Sequence, residues 1–297
     1  NIFFNFNTRV YTNFSINILK IMTDITSKKI PDRFIDEKLG DHWCVDETKK
    51  SFDRLIYHLK HTTNMYKWFI DPAQNILRLC KKDGLTIADV GGGVGWTSCI
   101  LAQFSQVKKV YVIDPSKERL SKGPFVVKHF NAPPSKINFI EGTFDNFNLP
   151  EKVDLIILNG AFHHCFDKDA KALFDSIKKN LSEETSVDSK VLISNEHYLN
   201  PLVMVKRFIR YYFRFFLLKK KKNDWNENPI GPGNWNAPDN FGGEHNRLKK
   251  DINKIFKKNG FIAKYHLFDE DLLKKKYRYK WMQPLIYYYA ILHQVES

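Results

Sequence analysis

Cysteine is scarce in this chain. The four that occur, Cys44, Cys80, Cys99 and Cys165, form no C-x-x-C pair and have no histidine at finger-like spacing, which excludes a zinc module and a disulfide framework. No bound metal is therefore expected, and a reduced, cytoplasmic protein is the default. Long apolar runs are missing too: Phe208 to Leu218 is broken by Arg210 and Arg214, and nothing approaches the roughly 20 residues that a membrane-spanning helix needs. The aromatic, asparagine-rich stretch from Asn1 to Met22 lacks a basic leader, an unbroken apolar core and a small-residue cleavage site, so it reads poorly as a signal peptide. The sequence does not begin with Met, and Met22 is the expected biological start. There is no internal repeat, and low complexity is confined to the lysine runs at 219–222 and 274–276.

Acidic residues are in deficit: 33 Asp and Glu stand against 47 Lys and Arg, a formal charge of +14. That excess favours anionic partners such as nucleic acid, anionic lipid or acidic substrates. Lysine is abundant here together with Asn, Ile, Phe and Tyr, the residues of A- and T-rich codons, so codon bias is an equal explanation. Hydrophobic residues at 43% and charged residues at 27% give the balance of a globular protein, and 297 residues suit one enlarged α/β domain.

Helical spacing appears first at Ser51 to Leu59, through Phe52, Leu55, Ile56 and Leu59, and again around Ala73 to Cys80. From Leu85 onward short apolar runs alternate with helical segments, the signature of βαβ units and a parallel sheet. Strands are expected near 85–90, 109–113, 136–141, 153–158 and 190–195, with helices near 95–105, 116–129 and 168–181 between them. After Glu196 comes an aromatic, basic stretch from Tyr198 to Lys222, then a polar loop from Asn223 to Gly243 that is long enough to be a lid or binding segment. A helix near 246–259 ends at Gly260, and Phe261–Phe268 and Ile286–His293 are expected to pair as an antiparallel hairpin at one edge of the sheet.

The strongest chemical signal is Ile87-Ala88-Asp89-Val90-Gly91-Gly92-Gly93-Val94-Gly95-Trp96, at a strand end that opens into a helix. Glycines there let backbone approach a ligand where a side chain would collide. A dinucleotide fingerprint would need glycine where Trp96 stands, and a phosphate loop fails at Trp96-Thr97. About 20 residues on, the strand Val110-Tyr111-Val112-Ile113 ends in Asp114, at the distance where a carboxylate meets ribose hydroxyls. Two further apolar strands follow, one running into Glu141-Gly142-Thr143-Phe144 and one into Asn159-Gly160-Ala161-Phe162-His163-His164.

Asp89, Gly91, Gly93 and Gly95 resemble the D/E-x-G-x-G-x-G signature of class I S-adenosylmethionine-dependent methyltransferases, and the later elements follow in that family's order. The apolar-His-His sequence is similar to its small-molecule, type 11-like branch. The resemblance covers residues 80–200 well and implies a Rossmann-like doubly wound α/β fold: a seven-stranded sheet, mostly parallel with an antiparallel C-terminal hairpin, flanked by helices. The expected division is 1–80 extension and cap helices, 81–200 cofactor-binding core, 201–245 lid and 246–297 the elements that complete the sheet.

The cofactor that the resemblance implies is S-adenosyl-L-methionine, held by Asp89, Gly91, Gly92, Gly93, Gly95, Asp114, Pro115, Thr143, Phe144 and Asn159. Thr143 departs from the pattern, since many members carry Asp there, and adenine would turn to Thr143, Asp145 or a backbone carbonyl. A general base for a hydroxyl acceptor is expected from His164 first, then His163 and Glu196. Substrate contacts are expected from His197, Trp235, Glu244 and His245. The acceptor is read as a small or lipid-linked molecule, with an anionic one favoured by Arg207, Arg210, Arg214 and Lys219–Lys222, and peripheral membrane contact is expected through 206–222. Nucleic acid ranks lower because no RNA-binding module accompanies the basic stretch, and the oligomeric state is left open. The alternatives are a catalytically silent scaffold, an RNA methyltransferase and, last, a nicotinamide oxidoreductase, which the failed fingerprint and the lack of a Tyr-x-x-x-Lys pair oppose.

Overall fold

The computed structural model describes residues 45–144, 146–165, 167, 169–183, 189–202, 205–206, 209, 247–268 and 285–295. The N-terminal extension, most of the 201–245 lid and Asp145 lie outside the described residues. In chain order the elements are α1 (Lys49–Tyr57), a π-helical turn (His58–Thr62), α2 (Met65–Cys80), β1 (Leu85–Val90), α3 (Trp96–Ala102), β2 (Val107–Asp114), α4 (Lys117–His129), β3 (Ile137–Glu141), β4 (Leu155–Asn159), α5 (Ala170–Asn180), β5 (Ser189–Leu199), α6 (Lys249–Lys258), β6 (Phe261–Leu267) and β7 (Leu285–Gln294). Among the described residues no helix is long and apolar enough to cross a membrane.

The strands form one sheet in the order β3-β2-β1-β4-β5-β7-β6. The five strands from β3 through β5 run parallel, and β7 lies antiparallel between β5 and β6, so the C-terminal pair closes one edge as the sequence predicts. Burial on both faces explains why these strands read as continuous apolar runs: every residue of β1 and β4 is buried. Alternation divides the core. Ala88, Val90, Ile156, Leu158 and Ile193 meet Phe174 and Ile177 of α5 and Phe256 of α6 in one cluster. On the sheet, α2 contacts β5, α3 contacts β2, and α4 contacts β2 and β3. After β1 the chain steps outward to β2 and β3, then returns to β4 on β1's other side. That reversal opens a crevice at the carboxyl ends of β1 and β4, where open α/β sheets bind ligands.

The expected helix near Ala73 is longer than its spacing suggests: α2 begins at Met65 and passes through Pro72. Proline lacks the N–H that would bond the carbonyl of Trp68 four residues earlier. That carbonyl instead accepts the Ser194 hydroxyl of β5 at 3.2 Å. At the other end of the sheet Asp154 accepts Thr86 N at 2.9 Å and Lys82 Nζ at 2.7 Å, which places it at the strand start and away from the crevice.

Gly123 sits mid-helix in α4, where a Cβ would come within 2.1 Å of the Phe139 ring. The same ring lies 3.0 Å from the position a Cβ would take at Gly95. Alanine in an exposed helix interior would gain about 1 kcal/mol over glycine. Here overpacking outweighs propensity, and Gly123→Ala is expected to lower unfolding free energy by about 1–2 kcal/mol in urea titration. Adding Phe139→Leu is expected to return part of that loss, and a stabilised single variant would contradict the packing.

Candidate active site

The crevice is built from the turn after β1. Gly91 at φ 77° and Gly93 at φ 56° hold left-handed backbone, which costs a side-chain-bearing residue about 1–2 kcal/mol. Gly91 N and Gly92 N both donate to Ile113 O, at 2.8 and 3.1 Å, tying the turn to β2. A Cβ on Gly91 would stand 2.6 Å from that of Ala161, with the Phe144 ring 3.7 Å away. At Gly93 space is open: the nearest atoms to such a Cβ are Arg119 Cδ and Asp114 Oδ2, both at 4.0 Å.

Asp114 ends β2 facing this opening. Its Oδ2 accepts Gly93 N at 3.0 Å and its Oδ1 accepts Ser116 N at 2.9 Å. Each oxygen keeps a lone pair for a further donor. Ser116 in turn caps α4 by accepting Arg119 N at 3.2 Å. Pro115 is exposed beside it. Thr143 is exposed in a tight turn that pairs its backbone with Asn146, and Phe144 is half-buried against Gly91.

Asp89 is fully buried under the glycine turn. Its Oδ2 accepts the hydroxyls of Thr97 and Ser98, the first in a very short contact and the second at 2.7 Å, while Oδ1 has no hydrogen-bond partner. Burial pushes its carboxyl up to about 6, against the pull of the Thr97 and Ser98 bonds. Asn159 closes β4 and accepts Asn195 Nδ2 at 2.6 Å. Asn195 Nδ2 also donates to Met65 O at 3.2 Å. These contacts leave two more buried atoms unbonded, Asn159 Nδ2 and Asn195 Oδ1.

Those orphaned atoms decide whether an adenosyl amino acid fits. Buried polar groups in a folded protein are bonded as a rule. One carboxylate oxygen, one amide oxygen and one amide N–H left over at the crevice are the complement of a zwitterion, and the room at Gly93 beside Asp114 admits a sugar. The residues present fit the group.

The predicted catalytic residues converge at the ends of β4 and β5. Asn195 stands in left-handed backbone at φ 53°, where the register between β5 and β7 shifts. Such a bulge re-aims the next side chain, and Glu196 turns inward to 1% exposure. Its Oε1 accepts Phe162 N at 2.8 Å, and its Oε2 lies 3.1 Å from His163 Nδ1. Burial pushes the Glu196 carboxyl up, but His163, His197 and His164 together outweigh it, and the net direction is down. The His163 ring is 4.1 Å from that of His164 and 5.3 Å from that of His197, centroid to centroid. The carboxylate therefore holds the His163 ring, with the His164 ring tilted beside it. Trp235, Glu244 and His245 lie outside the described residues.

Sequence reasoning misses two supports. Arg247 bonds Asp167 at 2.7 Å and the carbonyl of Cys165 in a short contact, and its guanidinium covers the Phe162 ring at 5.3 Å, so it braces the histidine turn from 80 residues away. Asn195, which supplies the bulge, reads in sequence as an ordinary strand residue; the available signal was the polar run Ser194-Asn195-Glu196-His197 that breaks off the apolar strand.

Residues 87–184 match the family model described as "Methyltransferase domain". No curated protein sequence matches the chain. Among solved structures the chain is similar to magnesium protoporphyrin IX methyltransferase from Synechocystis with bound S-adenosylhomocysteine, at 15% identity over 88% of this chain and 91% of that one, with a TM-score of 0.47. It is also similar to an S-adenosylmethionine-dependent methyltransferase from Clostridium acetobutylicum, at 13% identity over 82% and 97%, with a TM-score of 0.49. Residues 87–184, from β1 to α5, thus carry a methyltransferase domain, with its glycine turn and Asp114 facing one opening.

Proposed function

We propose that this protein methylates a hydroxyl of a small or lipid-linked acceptor, with His163 as the general base and Glu196 as the group that orients it. The observation that carries the reading is the Glu196–His163 contact at 3.1 Å, at the carboxyl ends of β4 and β5. The cofactor, when bound, supplies an electrophilic methyl group on its sulfonium. The protein's part is to align the acceptor oxygen and remove its proton. Glu196, held ionised, accepts from Nδ1–H of His163, which presents Nε2 as the base. Asp114 is assigned the ribose hydroxyls, Phe144 and Thr143 the adenine edge of the site, and Asp89 Oδ1 the ammonium of the aminoacyl end. A lipid-linked acceptor gains support from Leu202, Val205 and Ile209, which follow β5 at spacings of three and four and are 63%, 58% and 63% exposed. An apolar helical stripe beside Lys206 suits an anionic interface.

Calorimetry with S-adenosylhomocysteine and NAD separates this reading from an oxidoreductase, and transfer of a labelled methyl group into metabolite, lipid or RNA fractions of an extract separates it from an RNA enzyme and from a silent scaffold. One signature is specific to Asp89. Its carboxyl ionises at about 6, and an ammonium beside it favours the ionised form. S-adenosylhomocysteine affinity is therefore expected to rise about tenfold between about pH 5 and about pH 7.5, with Asp89→Asn flattening that dependence. The folded protein shows the opposite sign without ligand: because burial raises this carboxyl, its favourable contribution to stability is present below about 4 and is lost as pH rises through about 6.

A further inference from the structure

The segment ahead of the matched domain carries an unanswered charge. Lys60 lies in the π-helical turn His58–Thr62, a rare geometry that recurs at functional sites. Its Nζ is sealed from solvent with no hydrogen-bond partner. Among the described residues it faces the Tyr66 ring, 4.7 Å from the centroid. Attraction to a ring face is smaller than the cost of desolvating an ammonium, so the arrangement is incomplete without an anion.

The surroundings say which anion. Tyr66 stacks on Trp96, the residue that follows the glycine turn, with centroids 6.5 Å apart. Met65, its neighbour, accepts Asn195 Nδ2 through its carbonyl, and its methyl lies 3.1 Å from the Cβ position at Gly160. The first turn of α2 thus joins Lys60, the glycine turn and the Asn159–Asn195 amide pair. The amides are fixed in orientation, because Asn195 Nδ2 must donate to both Met65 O and Asn159 Oδ1. That leaves Asn159 Nδ2 as an unbonded donor and Asn195 Oδ1 as an unbonded acceptor. With Asp89 Oδ1 and Lys60 Nζ the tally is two donors, one charged, and two acceptors, one charged.

We infer that Lys60, with the Asn159 amide, receives the carboxylate at the aminoacyl end of the cofactor, so that an element outside the matched domain tests whether a bound adenosyl ligand carries an intact amino acid. The inference rests on the methyltransferase reading above. Burial lowers the pKa of Lys60 in the ligand-free protein, in keeping with a charge that awaits its partner.

The test compares two adenosyl thioethers by calorimetry: S-adenosylhomocysteine, which carries the amino acid, and 5′-methylthioadenosine, which does not. Lys60→Met is expected to weaken the first at least about 30-fold and to leave the second within about twofold, because only one has a carboxylate to lose. Lys60→Gln, which keeps a donor, is expected to fall between wild type and Lys60→Met and serves if the methionine variant does not fold. Thermal unfolding without ligand is expected to be no lower in Lys60→Met, since an uncompensated charge has been removed. Equal weakening of both ligands would reveal a structural role and overturn the inference, as would undiminished S-adenosylhomocysteine binding. Failure of the wild-type protein to bind either ligand would instead refute the methyltransferase reading itself.

Discussion

Asp114→Ala is expected to weaken S-adenosylhomocysteine binding by about 100-fold. Two hydroxyl-to-carboxylate bonds at about 1.5 kcal/mol each give about 3 kcal/mol, which is about two decades of affinity. Asp114→Asn tests the arrangement more sharply. Both carboxylate oxygens already accept backbone N–H groups, from Gly93 at 3.0 Å and Ser116 at 2.9 Å. An amide can accept on one side only, so its NH₂ must confront one of these donors. The asparagine variant is therefore expected to lose nearly as much affinity as alanine and to disturb either the glycine turn or the start of α4. Calorimetry reads the affinity, and amide exchange at Gly93 reads the turn. Binding within threefold of wild type in both variants would remove Asp114 from the ribose role.

Glu196→Gln is expected to cut turnover by about 100-fold or more, the usual contribution of a positioned proton acceptor, while cofactor affinity holds. The substituted amide can still accept Phe162 N, so the turn that carries the histidines is kept. Its other end becomes a donor facing His163 Nδ1, which forces the ring to hold its proton on Nε2 and abolishes the base. His163→Ala is expected to match that loss and His164→Ala to retain most activity. Equal losses from the two histidine variants, or full activity in Glu196→Gln, would contradict the assignment. The direction of the Glu196 shift adds a pH consequence: its charge contributes stability above its ordinary range and surrenders it only as acid takes the pH below that range.

Much of this architecture is legible in the sequence because strands buried on both faces write themselves as unbroken apolar runs. Leu85–Val90 and Leu155–Asn159 are of that kind, and Leu285–Gln294 of the C-terminal hairpin is apolar over most of its length. The glycine turn and Asp114 are local too, since one strand end and the next lie a fixed distance apart in a βαβ unit. Lys60, Asn195 and Arg247 are not legible. Each acts through atoms more than 30 residues away, or through a bond that is missing, and periodicity records burial without recording who satisfies whom. The first half of α2 was obscured for a different reason: Pro72 signals a helix stop, and only the sheet beneath it supplies the hydroxyl that makes a continuing helix tolerable.

That proline gives the cap its bearing. An intact helix is indifferent to its rotation about its own axis as far as its backbone is concerned, because every carbonyl points along the rod. By opening one rung, α2 acquires a single sideways-usable oxygen, and Ser194, beside the Asn195 bulge, engages it. The helix is keyed to the sheet like a shaft to a hub, and the angular setting of Met65, Tyr66 and the lysine turn before them follows from a tooth cut eight positions into the helix.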